Sequence, residues 1–395
     1  MNMNLIKMSL SGLMALTLSI GAQGATGFSL SGSLQGMPDS VKVVLFNVED
    51  PNGDVKKVAE TMASGGSFNL AGDVKSPAMC KLAFQRFSPK RGEYLTVFST
   101  RVMADNAPMT FSSPVSFDSL ANVRPVETVV NIKGSKAADE FAEYIAQISP
   151  AERRESDASY LSAQKYFDSN GNEDTVAKYD VFKNKALADL LAEQRRFIAA
   201  HPDYNISAYL TQKELEKQFV YTADEINAMA DLVKACPDTA RTSTVERRRT
   251  FAQRYALESP CADFEVTHVD GKVAPFSSLR TPGKYTFIDF WASWCGPCRA
   301  AIPHVRELYK KYADKLDIYS ISVDETEGPW RKAMEKEQME WPQLHLSEEQ
   351  MGPAANAFFL NTIPRLILLD DQGRVVCSTN LPRELSEALT RHLGE

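Results

Sequence analysis

Apolar and polar positions alternate between residues 25 and 132, the spacing of half-buried strands. Residues 28–32 and 65–70 alternate, 41–46 is a strand-like run, and 94–98 and 128–132 read as further strands. Pro51-Asn52-Gly53-Asp54 is a turn signal between two of them. Several short strands at roughly regular spacing predict an N-terminal all-β domain over 25–132, a sandwich or small barrel. At Gly134 the period changes to about 3.6 residues. Phe141, Tyr144, Ile145 and Ile148 share one helical face, and 181–200, 207–219 and 246–257 continue the helical pattern. Thr222-Ala223-Asp224-Glu225 has the spacing of a capping box before Ile226, Met229 and Val233. Residues 133–258 are therefore predicted to be a helical middle region.

From residue 259 onward strands and helices alternate. Residues 264–269 and 272–276 pair around Asp270-Gly271, and 285–291 and 317–323 are buried strands. Residues 300–312 and 330–339 are helical, 365–369 and 374–378 form a hairpin around Asp371-Gln372-Gly373, and 385–393 is a closing helix. That order predicts a small α/β domain over 259–395.

The 395 residues are too many for one ordinary core, which agrees with several domains. A net charge of −7 gives no general electrostatic case for nucleic acid or anionic lipid. Lys7, an apolar run over 8–20 and the small residues of Gly21-Ala22-Gln23-Gly24-Ala25 read as a signal peptide over 1–24. The run is short for a membrane span, so no stable membrane insertion is expected once it is cleaved. An uncleaved anchor is the other reading. Export changes what the six cysteines mean, because each must then be buried, paired or catalytic.

Cys295-Gly296-Pro297-Cys298 follows the apolar strand Phe287-Ile288-Asp289-Phe290-Trp291 and opens a helix. A cysteine at a helix N-terminus meets unsatisfied N–H groups and the positive end of the dipole, which favour its thiolate. The second cysteine, one turn on, can resolve a mixed disulfide. A C-x-x-C also opens zinc sites, but no second pair exists and the five histidines are scattered, so no metal is expected. Asp289 lies six residues before Cys295 in an apolar run, where a carboxylate is costly unless it works. It is read as a proton acceptor and donor for Cys298 with a raised pKa, the bland alternative being a strand-end Asp bonded to backbone.

These residues resemble the thioredoxin superfamily, and residues 259–395 are similar to the TlpA/ResA-type exported thiol-disulfide oxidoreductases. The resemblance runs through Phe290-Trp291-Ala292-Ser293-Trp294-Cys295-Gly296-Pro297-Cys298-Arg299, Pro303, Trp330 and Thr362-Ile363-Pro364. It implies Cys295 as nucleophile, Cys298 as resolving thiol, Asp289 as buried acid and Pro364 as a cis-proline beside the dithiol. It also implies a substrate-binding surface made of Trp294, Gly296, Pro297, Ile363, Pro364 and Arg365. The Gly-Pro pair between the cysteines goes, in related proteins, with a reducing poise. Three places depart from the pattern, one being Pro260-Cys261-Ala262-Asp263-Phe264 in place of a more usual Ala-Pro-Asp-Phe, which adds a cysteine. Arg365 stands where many relatives carry Thr, a cation that could tune substrate choice or thiolate stability. Ala301 stands where some carry Glu, which puts more weight on Asp289. The first 258 residues more loosely resemble the N-terminal part of large TlpA-like proteins of Bacteroidetes type.

Cys236 and Cys261 flank the last helix of the middle region. A disulfide there would staple that region to the redox domain, and two buried thiols are the other reading. Cys80 and Cys377 read as core cysteines rather than redox partners. The aromatic residues Tyr160, Tyr166, Phe167, Tyr179 and Phe182 read as helix packing, Glu246-Arg247-Arg248-Arg249 as a solvated helix face, and Asn205-Ile206-Ser207 as a chance glycosylation pattern. The leading expectation is a periplasmic reductase that takes electrons from a membrane thiol carrier and passes them to oxidised substrate proteins. A disulfide isomerase, with the N-terminal regions as substrate clamp or homodimer module, is the second. An envelope ligand-binding protein with a redox-sensing dithiol is the third. No organic cofactor is implied, since a dithiol carries electrons itself.

Overall fold

A computed structural model describes residues 27–49, 55–169 and 173–394. The segment expected to be a signal peptide, 1–24, and the turn expected at Pro51-Asn52-Gly53-Asp54 lie outside the described residues. The chain divides into two compact units, residues 1–146 and 147–395.

The first unit contains two four-stranded sheets. Its strands are β1 (Phe28–Ser33), β2 (Lys42–Asn47), β3 (Lys56–Met62), β4 (Ser67–Gly72), β5 (Ala78–Ser88), β6 (Glu93–Ala104), β7 (Pro108–Ser112) and β8 (Asn131–Lys133), with a short helix α1 (Phe117–Leu120) after β7. One sheet has the order β4-β1-β7-β8 and the other β3-β2-β5-β6. Alternate residues of both, among them Leu30, Phe68 and Phe111 of the first and Val43, Leu82 and Phe84 of the second, fill one core. Phe68 and Phe84 meet edge to face across it at 5.5 Å. The unit is a β-sandwich.

Strand β3 escapes the sequence pattern because it is an edge strand with no fully buried residue. The stretch 128–132 reads as a strand but is only partly one. The hydroxyl of Thr128 donates back to Pro125 O at 2.9 Å, which closes a 3-10 turn over Val126–Thr128, and pairing begins at Asn131.

Helix α2 (Lys136–Asp168) leads into the second unit, followed by α3 (Glu173–Ala200), α4 (Asn205–Glu214), α5 (Ala223–Leu232) and α6 (Thr239–Arg254). The capping box at Thr222 and Glu225 is formed in full at the start of α5. Helix α6 starts seven residues earlier than the apolar pattern suggests, because Asp238 caps it by accepting from the N–H groups of Ala240 and Arg241. Arg248 and Arg249 pair with Glu216 and Asp231, which accounts for the basic run. Asn205 is buried at 4 % exposure, so its tripeptide is no surface acceptor.

Two expectations fail here. Tyr160, Tyr166, Phe167 and Phe182 do not pack inside the helical region, since they are 73, 52, 78 and 56 % exposed. Cys236 and Cys261 are not joined to each other. Cys236 belongs to the apolar cluster between α4, α5 and α6, with Asn205 as a neighbour, whereas Cys261 packs on the aromatic cluster of the sheet that follows.

That sheet has seven strands, β9 (Glu265–His268), β10 (Val273–Pro275), β11 (Tyr285–Trp291), β12 (Leu316–Ser322), β13 (Gln343–His345), β14 (Arg365–Leu369) and β15 (Val375–Thr379), in the order β10-β9-β13-β12-β11-β14-β15. The turn glycines of both expected hairpins, Gly271 and Gly373, have φ of 84° and 80°, a region that suits glycine. Helices α7 (Gly296–Lys311), α8 (Glu327–Glu337), α9 (Glu348–Phe358) and α10 (Pro382–Leu393) complete the unit. Strand β11 is central, parallel to β12 and antiparallel to β14. Phe287, Trp291 and Leu366 face one cluster, shared with Ile302, Val305 and Leu308 of α7 and Leu385 and Leu389 of α10. Ile288, Phe290 and Ile367 face another, shared with Phe358 of α9 and with Phe219 and Tyr255 of the helical region. This is a thioredoxin-like domain with a helical region and a β-rich region ahead of it.

Candidate active site

The central strand β11 ends at Trp291, and five residues later α7 begins. Cys295 is the N-cap of that helix and Pro297 stands in its first turn, where a missing N–H costs nothing. Cys298, Ala301, Ile302, Val305 and Leu308 recur at helical spacing and anchor α7 on the sheet, which fixes where its N-terminus points.

Cys295 and Cys298 are joined by a disulfide, with Cα atoms 5.3 Å apart. The backbone N–H of Cys298 donates to Cys295 Sγ at 3.2 Å. The sulfur thus takes the place of a capping oxygen, and negative charge on it would meet that N–H and the helix dipole. Both cysteines are nearly covered, at 5 and 3 % exposure, while the neighbouring Trp294 is 69 % exposed. Gly296 and Pro297 are exposed too, and nothing stands within 4 Å of where a side chain on Gly296 would be. Open backbone beside a covered sulfur gives a partner chain room to approach.

Asp289 lies on β11 between Phe287 and Trp291, on the face that packs the two cysteines. It is 4 % exposed. Burial pushes its carboxyl up to about 7, and a hydrogen bond from Ser320 pulls it back only in part. Ser320 Oγ donates to Asp289 Oδ2 at 2.9 Å and accepts from Trp341 Nε1 at 2.8 Å, so the hydroxyl is held in one orientation. No basic group contributes to the shift. A carboxyl half protonated near neutral pH can both take and give a proton.

The Ile363–Pro364 peptide bond is cis. Ile363 packs against the cluster that contains both sulfurs. Arg365 follows and opens β14 opposite Phe290. Sequence reasoning missed the residue that clamps this loop. Asn380 Nδ2 donates to Thr362 Oγ1 at 3.0 Å and to Pro364 O, one acceptor on each side of the cis bond. It also missed Asp324, which is 3 % exposed beyond the end of β12. Asp324 accepts from Ser293 N at 2.9 Å, Ser293 Oγ at 2.6 Å and Ser322 Oγ at 2.7 Å, and so holds the segment that delivers Cys295. Asn380 and Asp324 left no local signal of these roles, since the segments they hold, at Thr362 and Pro364 and at Ser293, are distant in sequence.

Cys80 is buried in the sandwich core, which pushes its thiol up to about 12. Cys377 sits half-buried on β15 with its thiol up at about 11, and burial raises Cys261 to about 12. None would be a thiolate at neutral pH.

Residues 283–375 match the thioredoxin-like family, and residues 28–141 match a domain of unknown function (DUF4369). The thiol-disulfide oxidoreductase ResA of Bacillus cereus is 30 % identical over 125 residues, 31 % of this chain and 69 % of that protein. The ResA of Geobacillus kaustophilus is 30 % identical over 121 residues, 30 % of this chain and 67 % of that protein. Among solved structures, a thiol-disulfide oxidoreductase from Bacteroides fragilis is 28 % identical, covering 34 % of this chain and 97 % of that one, with a TM-score of 0.30.

Proposed function

This chain belongs to the thioredoxin-like thiol-disulfide oxidoreductases of the ResA/TlpA type, and from that premise we propose that it is an exported reductase of protein disulfides. In this reading residues 1–24 are a leader, 25–132 and 133–258 are accessory domains, and 259–395 is the redox domain, working in the periplasm. No described helix is long and apolar enough to cross a membrane.

The reaction consumes the reduced pair. The Cys295 thiolate attacks one sulfur of a substrate disulfide, forms a mixed disulfide and expels the other sulfur as a thiolate, which takes a proton. Asp289 then accepts the proton of Cys298. The Cys298 thiolate attacks Cys295 Sγ, the intramolecular disulfide forms, and the second substrate sulfur leaves and is protonated. Two electrons and two protons pass to the substrate. A membrane thiol carrier returns them to the oxidised pair. Trp294, Gly296 and Pro297 on one side, and Ile363, Pro364 and Arg365 on the other, form the surface the substrate meets.

The observation that carries the direction is the Gly296-Pro297 pair between the cysteines. The test is the reduction potential of the Cys295–Cys298 pair by equilibration against glutathione or dithiothreitol. A value near that of thioredoxin, about −270 mV, supports a reductase, and one near that of DsbA, about −120 mV, overturns it in favour of an oxidase. Capture of mixed disulfides in cells by a Cys298→Ala variant identifies the substrates. A variant that traps no protein removes the case for a protein reductase.

A further inference from the structure

A guanidinium drawn partly out of water is costly unless a carboxylate or a full set of acceptors meets it. Arg365 is met by neither. Its only hydrogen bonds among the described residues are long ones, from Nη1 to Ser378 Oγ at 3.5 Å and from Nη2 to Asn361 Oδ1 at 3.3 Å. Nε is buried without a partner. No described carboxylate forms an ion pair with it, although Arg299, Arg374 and Arg383 of the same domain each have one. Desolvation lowers its pKa, and no acidic group offsets that.

The position matters as much as the missing partner. Arg365 directly follows cis-Pro364, and Ile363, two residues back, packs on the cluster that holds Cys295 and Cys298. Residues along a strand alternate between faces. Leu366 therefore shares the face of Asp289 and the dithiol, while Arg365, opposite Phe290, lies on the other face. Its charge is thus kept off the nucleophilic sulfur and is spent at the flank of the site.

We infer that Arg365 is a specificity-determining residue of this dithiol, and that it selects disulfides flanked by an acidic side chain. The inference rests on the reading that Cys295 and Cys298 exchange with polypeptide disulfides. An extended chain advances about 3.3 Å per residue, so a carboxylate two or three residues from the substrate cysteine can reach a guanidinium beside the cis-proline. A planar guanidinium takes a carboxylate through two parallel N–H bonds, and the two Nη groups of Arg365, held only by long bonds to Ser378 and Asn361, can offer that pair.

The test uses the full chain and two disulfide peptides that differ only in Glu or Gln two residues from the cysteine. The kcat/KM is measured in both directions of exchange. At low ionic strength the Glu peptide is expected to be favoured about 2- to 5-fold, and the preference should shrink in about 0.5 M salt. In Arg365→Gln the ratio should fall to about one, and Arg365→Lys should retain part of it. The reduction potential of the Cys295–Cys298 pair should match the wild type in Arg365→Gln, because the guanidinium lies on the opposite face. A wild-type ratio near one overturns the inference, as does an unchanged ratio in Arg365→Gln. A shifted potential with an unchanged ratio would make Arg365 a tuner of the thiolate instead. If neither peptide exchanges in either direction, the polypeptide-exchange reading falls first and takes this inference with it.

Discussion

Asp289 carries an energetic cost that changes with pH, and the sign of that change is a test of its burial. An unfolded aspartate titrates near 3.9, and burial raises this one to about 7. Between those values the folded chain binds the extra proton. The neutral carboxyl is therefore tolerated fully below about pH 4, and stability is lost as pH rises through 7, by roughly 4 kcal/mol in all. Asp289→Asn removes the ionisable group. Its thermal midpoint should exceed the wild type at pH 8 by the equivalent of roughly 2–4 kcal/mol, and the gain should vanish near pH 4. An equal gain at both pH values would show that packing, not charge, is responsible. The same variant should slow resolution of the Cys295 mixed disulfide about 100-fold, the usual scale of a lost acid–base group, as followed by release of a chromogenic thiol. The position of Asp289 was legible because a carboxylate within Phe287-Ile288-Asp289-Phe290-Trp291 needs a reason to be there. Its hydrogen-bond donor Ser320, 31 residues further on, was not legible, because only the parallel pairing of β11 and β12 brings the two together.

The connection from β11 to α7 is held by side chains that contribute nothing to the pattern of either element. Asp324 accepts three bonds, two from Ser293 and one from Ser322, in a site with almost no access to water. Asp324→Ala leaves those donors buried without an acceptor, and a loss of about 3 kcal/mol is expected from the denaturant midpoint. Asp324→Asn, which keeps one oxygen, should lose less, and equal losses would mean that volume and not hydrogen bonding matters. Elements with a local signature were legible in the same way as the dithiol helix. Thr222 and Glu225 announced α5, and Asp270-Gly271 announced the first hairpin. Helix α9 was not legible, because Gly352 and Pro353 lie inside it, and only the capping box of Ser347 and Gln350 marks its start. The aromatics of α2 and α3 misled for a different reason. Periodicity reports that residues share a face, but it does not report whether anything covers that face, and Tyr160 and Phe167 stand in water.

The helical region and the redox sheet cannot be separated without exposing apolar surface, which bears on how the molecule should be cut. Phe219 and Tyr255 belong to the cluster on the far face of the sheet, with Phe251 packed against it. Phe251 and Tyr255 both meet Phe359 edge to face, at centroid distances of 5.8 and 5.4 Å. The backbone joins them as well, since Glu258 N donates to Val375 O at 2.8 Å. A fragment of residues 259–395 keeps every strand of the sheet but loses Phe219, Phe251 and Tyr255. Each large side chain buried in full is worth about 1.5–3 kcal/mol, so the thermal midpoint of that fragment should lie at least about 10 °C below that of a fragment starting at residue 201, which keeps α4, α5 and α6. Near-ultraviolet circular dichroism reads both transitions. Equal midpoints would mean that the aromatic contacts at Phe359 contribute no net stability and that the redox domain begins cleanly at residue 259. The expected difference would instead make the helices after residue 201 part of the redox domain's core.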